Sequence, residues 1–191
     1  GGGLSETPTP DWALPQAEGA IHVKIMKWWN VMVLAVTALT ANTEVALADC
    51  SDPGEPGVSW QRCYFERQDL RGIHLNKAKL RDASFSRAIM TGADLSGADA
   101  FRAKFISTDM AGAKFDDARL LETDFTKADL SKASFRNTDL RRARLFRANL
   151  RGADLTGAQL RDADLHYADF SGATWVDGKK ICSEGSIGRC E

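Results

Sequence analysis

From residue 63 to residue 177 the chain repeats every five residues without one insertion or deletion. Take every fifth residue from Phe65 to Trp175 as a centre: 22 of the 23 centres are large and apolar, and Ala100 is the exception. Two residues before each centre the side chain is small. That position holds 17 Ala with Thr108, Thr123 and Thr138, and only Cys63, Gln68 and Ile73 depart from the pattern. Ala, Leu, Arg and Asp would suit a helix by composition, but a helix turns about 500° in five residues, so successive centres would wander round its surface. Two inward residues flanking one outward residue is the alternation of a strand. The two outward residues after each centre are then free to turn a corner, and the chain coils with its small and large apolar positions inside.

The stretches GADLSGADA, KADLSKASF, RANLRGADLTGAQL and RDADLHYADF resemble the A-(D/N)-L-x-x units of the pentapeptide-repeat family. The resemblance implies an all-β fold, a right-handed quadrilateral β-helix of just under six coils with four pentapeptides per coil. Residues twenty apart then stack at roughly 4.8 Å. One interior column reads Phe65, Phe85, Phe105, Phe125, Leu145 and Leu165, and another reads Leu80, Ala100, Leu120, Leu140 and Leu160. The gap at Ala100 is expected to be filled by the neighbouring Phe column. A local slip that turns Phe101 inward is the alternative.

The flanks are organised differently. Residues 1–25 contain no methionine and are expected to be an upstream extension or a mis-assigned start. From Met26 one basic residue, an apolar run from Trp28 to Ala41 and Ala46-Leu47-Ala48 make up a secretory signal over 26–48, with cleavage after Ala48. The apolar run is shorter than the roughly 20 residues a membrane-spanning helix needs. Leu47-Ala48-Asp49-Cys50 resembles a lipoprotein box, but Asp49 stands where such boxes place Gly or Ala. Residues 49–62 and 178–191 are expected to cap the repeat, because an uncovered coil end exposes unpaired backbone. The cysteines Cys50, Cys63, Cys182 and Cys190 allow three pairings. Cys50 with Cys63 and Cys182 with Cys190 is the pairing adopted, and it agrees with export to a periplasmic or extracellular compartment. Zinc binding is disfavoured by the lack of any C-x-x-C spacing or flanking histidine.

Twenty-five basic residues balance 26 acidic ones, which gives no footprint for nucleic acid. No spacing of Ser, His, Cys and Asp joins a nucleophile to a base, and His74 and His166 fall on different sides several coils apart. The expectation is therefore a non-enzymatic scaffold with no cofactor and no metal. Stacked by twenty, Arg67, Arg87, Lys127 and Arg147 form a basic column, with Asp69, Asp109, Asp129 and Asp169 beside it. Mutual neutralisation is the plain reading, and ion or polyanion binding the functional one. Gly72, Gly92, Gly112, Gly152 and Gly172 form a corner column. Outward apolar residues are scarcer, and the pairs Phe101 with Leu121 and Ile106 with Phe146 are the candidate contacts for an unknown protein partner. Monomer, end-to-end and side-by-side association remain open.

Overall fold

The computed structural model describes residues 50–191. The signal reading, the Ala48 cleavage site and the upstream extension lie outside them. The repeat lies within the unit that ends at Glu191. It is an unbroken set of parallel bridges between residues twenty apart, from Ser59↔Lys79 to Asp154↔Thr174, one every five residues. Four bridges per twenty residues define four sides. Side I carries the centres Trp60, Leu80, Ala100, Leu120, Leu140 and Leu160, and sides II, III and IV follow from Phe65, Leu70 and Leu75. No helix occurs among the described residues. The ladder begins one unit earlier than the repeat pattern does. Trp60 donates its amide to Lys79 O at 2.9 Å and is 3% exposed, so it belongs to the coil rather than to a loop before it.

Each corner is closed by the residue two before the next centre, whose N–H donates to the preceding centre's carbonyl. The residue just before it lies at φ between +54° and +74° at every corner from Arg62 to Gly172, as a type II turn requires. Gly72 and Gly112 take this conformation, and so do sixteen residues with side chains, Lys132 and Tyr167 among them. Glycine therefore eases these corners but does not define them. The closing bond explains the small residue. Where Ala closes the corner the N···O distance is 2.9–3.1 Å, and at Cys63, Gln68, Ile73, Thr108, Thr123 and Thr138 it is 3.2–3.4 Å. Within the repeat from Cys63 on, a side chain that extends beyond a β-carbon goes with the longer bond, whereas Val58 closes the corner before Trp60 at 3.1 Å.

Inside, Phe65, Phe85, Phe105 and Phe125 stack with centroids 5.1–5.3 Å apart, and Phe115 stacks on Phe135 at 4.8 Å on side IV. Phe115 meets Phe105 and Phe125 edge-on at 6.3 and 5.7 Å. These rings lie in the coils around Ala100, which faces inward, fully buried, with its neighbour Asp99 in register between Lys79 and Arg119. There is no slip. The three buried threonines are satisfied alike: their hydroxyls donate to the carbonyls of Phe85, Ala100 and Phe115, 23 residues back, at 2.8–2.9 Å.

Both ends are disulfide-closed, Cys50 to Cys63 and Cys182 to Cys190. At the first end residues 50–57 cross the opening, Trp60 Nε1 donates to Asp52 O at 3.2 Å, and a β-carbon on Gly54 would press into Ile73 and the Trp60 ring. At the other end the chain folds back in antiparallel pairing, Ile187 with Asp169 on side III and Ile181 with Thr174 on side IV. Among the described residues, sides I and II receive no such strand. The C-terminal segment thus covers half of its end, less than the full cap expected.

Candidate interaction surface

The outward residue just before the centre is Asp in ten of the 23 units, and its carboxylate is committed to its own corner. Asp94, Asp124, Asp154 and Asp169 accept the N–H two residues on at 2.9–3.0 Å, and Asn149 does the same for Arg151 at 3.2 Å. This is an Asx turn that satisfies an amide the ladder leaves out. The Arg141 guanidinium, helped by its own N–H, holds Asp139 below the usual carboxylate range against burial. Burial pulls Asp154 upward, but the Thr156 hydroxyl and N–H together with Arg136 bring it below that range. The expected neutralisation between the Arg67 and Asp69 columns is not what the structure shows. Asp69 pairs with Arg71, Asp129 accepts from Asn149 and Asp169 pairs with Arg151. Among the described residues, Arg67, Arg87, Lys127 and Arg147 have no ion-pair partner.

Phe101 and Leu121 follow their centres on side I, and both are half-buried. Phe101 is roofed by the guanidiniums of Arg81 at 4.9 Å and Arg119 at 5.0 Å, with Arg102 at 5.7 Å. Arg81 and Arg119 share Asp99 at 3.6 and 3.1 Å. The ring is thus a platform for cations rather than a bare apolar knob. Ile106 and Phe146 stand two coils apart on side II with Thr126 between them, whose buried hydroxyl has no hydrogen-bond partner. Phe146 meets Tyr167 edge-on at 5.7 Å, and Arg147 lies over both rings at 5.2 and 5.7 Å. Tyr167 was missed in the sequence because it sits in the basic corner column, where it reads as an interruption. It is 63% exposed and extends the Ile106–Phe146 strip to the half-covered end.

Among the described residues no group of three His, Cys, Asp or Glu side chains is placed to hold a metal, and no helix is long and apolar enough to cross a membrane. His166 pairs with Asp164 at 2.7 Å. A shallow groove between sides I and II is lined by Asp82, Arg102, Glu122 and Arg142 on one wall and Lys104, Asp124 and Arg144 on the other. Its signs alternate coil by coil, and Arg102–Asp82, Arg142–Glu122 and Arg144–Asp124 pair at 3.1–3.5 Å.

The family model for pentapeptide repeats matches eight copies over residues 61–97, 103–142 and 143–174, more than half of the chain. The chain belongs to the pentapeptide repeat family. Its fold is similar to that of HetL, a pentapeptide repeat protein involved in heterocyst differentiation regulation from the cyanobacterium Nostoc, at 29% identity and a TM-score of 0.56. That match covers 66% of this chain and 63% of HetL, so the chain spans less than two thirds of HetL's length. A pentapeptide repeat protein of the Arabidopsis thaliana thylakoid lumen matches at 26% identity over 64% of this chain and 83% of its own, with a TM-score of 0.36. Rfr23 from the cyanobacterium Cyanothece matches at 24% identity over 53% of this chain and 80% of its own, with a TM-score of 0.33. No match was found among curated proteins. The pentapeptide repeat pattern accounts for most inward positions and for the Asp or Asn before many centres, so the two corner residues after each centre do most to distinguish this chain.

Proposed function

We propose that this pentapeptide repeat protein is a non-enzymatic scaffold that docks a protein partner outside the cytoplasm, its coil right-handed and, counted from Trp60, six turns long. The observation that carries the reading is the side II strip of Ile106, Phe146 and Tyr167. It gathers aromatic and Arg side chains, the types that dominate binding energy at interfaces, around an unpartnered hydroxyl. Phe101 with Leu121 is a second, cation-covered patch on the adjoining side. Export is supported by two disulfides in a small domain and by the signal-like run 26–48. Affinity capture with the full chain tests the docking face. The Ile106→Asp/Phe146→Asp variant should lose a partner that the parent retains, and an identical set of retained proteins overturns the reading. Fusing residues 26–60 to a reporter enzyme active only after its own disulfides form tests export, and an inactive reporter counts against it.

The unpaired corner cations Arg67, Arg87, Lys127 and Arg147 favour one further reading, a site for ions or a polyanion. Polyphosphate should then raise the melting temperature at low salt and lose the effect at high salt. No shift at any ionic strength removes this reading.

A further inference from the structure

Along the solenoid, each centre and the residue two beyond it donate their amides to the coil that follows. On side I Leu140 donates to Gln159 O and Arg142 to Arg161 O, both at 3.0 Å. On side II Leu145 donates to Asp164 O at 2.8 Å and Arg147 to His166 O at 3.0 Å. On the last coil the C-terminal segment takes over this role for sides III and IV: Phe170 donates to Ser186 O, Gly172 to Cys182 O and Trp175 to Lys180 O, at 2.8–2.9 Å. Sides I and II have no successor. Among the described residues, the amides of Leu160, Asp162, Leu165 and Tyr167 and the carbonyls of Ala158 and Ala163 meet no protein group. The side chains below them are uncovered as well. Every centre from Leu75 to Leu155 is fully buried, whereas Leu160 and Leu165 are partly open. Beside Leu165 lies a cavity of about 540 Å³, walled by Tyr167 and His166 on the coil and by Ile187 and Gly188 on the returning strand.

We infer that this half-open end accepts an extended segment of a partner protein as the missing half coil. The segment is a strand, a corner and a second strand running parallel to residues 158–167. Its inward positions read small then large apolar on each side, with one large side chain on Leu160 and the other on Leu165, against Tyr167 and Ile187. Its carbonyls accept from the four free amides and its own amides donate to Ala158 and Ala163. This is strand addition to an exposed edge, in which main-chain bonds supply affinity and alternate side chains supply specificity. The balance of groups selects the occupant. The edge offers four donors and two acceptors, so it matches a parallel segment that brings two carbonyls and one amide per side. A second copy presenting the same end would oppose amides to amides, and the other end of a second copy is crossed by residues 50–57. The inference rests on the scaffold reading above and shares Tyr167 with the side II strip, but its readout is peptide binding at the end amides, which the Ile106→Asp/Phe146→Asp variant leaves in place, so the two can fail separately.

The test uses the full chain and a labelled decapeptide with the sequence of residues 118–127. This peptide carries Ala, Leu, Thr and Phe at the four inward positions and no net charge. Saturable binding is expected, with amide exchange slowed at Leu160, Asp162 and Leu165 and unchanged in the middle coils. Binding should be roughly tenfold weaker to the Tyr167→Asp variant, about 1.4 kcal/mol, whose changed residue is exposed and leaves the core intact. A peptide carrying Asp at its Leu120 and Phe125 positions should not bind. Absence of saturable binding overturns the inference, as does equal binding of the Asp-bearing peptide. It is also overturned if those amides are already protected in the free protein and sedimentation shows a dimer, since a second copy would then be the occupant.

Discussion

A corner of this solenoid closes on a single N–H, and the side chain of the residue that donates it decides how tightly. With Ala the closing distance stays at 2.9–3.1 Å, and the six larger residues stretch it to 3.2–3.4 Å. Threonine offsets this by reaching the carbonyl 23 residues back. At Ala113, whose counterpart is Met90 O, Ala113→Val should therefore cost about 1–3 kcal/mol, and Ala113→Thr measurably less. Urea titration of the two variants checks this, and equal losses would remove the hydroxyl argument. The Asp that precedes ten of the centres was read in the sequence as surface charge, because a column of charges can be counted whereas a bond to the chain's own backbone cannot. Asp139→Ala should cost about 1 kcal/mol, given a charge-assisted bond in a partly exposed setting, and Asp139→Asn about half as much, as Asn149 already fills such a position. The lowered pKa values of Asp94, Asp139, Asp154 and Asp169 fix the sign of the pH response. Stability is complete above the unfolded carboxylate value near 4 and is lost as pH falls through the lower folded values. The melting temperature should therefore drop steeply below about pH 4, and less steeply in Asp139→Asn.

At the scale of one coil, the inside was legible because packing imposes the same demand every five residues, and residues 20 apart share a column. Ala100 illustrates both the reach and the limit of that reading. The column predicts a gap between Leu80 and Leu120, and in the coil of Ala100 the rings of Phe105 and Phe115 meet edge-on with centroids 6.3 Å apart. Ala100→Leu should overpack this coil and destabilise by about 1–3 kcal/mol, measured by thermal melting. A gain in stability would show that the space is empty. Trp60 was not legible as a member of the coil because its unit, Val58-Ser59-Trp60, lacks the small residue that marks the others. The half-covered end was illegible for a different reason. The course of residues 177–191 is set by which sides they return to, and no periodicity records that.

For the whole domain, the twenty-residue register makes coils interchangeable while sides are not. Excising residues 121–140 removes one full coil and leaves every later residue in its own column. Excising 121–125 preserves the five-residue pattern but turns every later residue by one side relative to the coils before it, breaking the Phe stack. The first deletion should unfold in one transition with a smaller urea dependence, and the second should be clearly less stable. Equal stability would mean that column identity is unimportant. The same register governs the surface: Arg102 with Asp82, Arg119 with Asp99, Arg142 with Glu122 and Arg144 with Asp124 each pair across twenty residues, and Arg136 with Asp154 across eighteen. As this sequence drifts, a change of charge at one outward position should therefore be answered near eighteen or twenty residues away. The lineage of such a chain would carry its memory of compensation at the spacing of the coil.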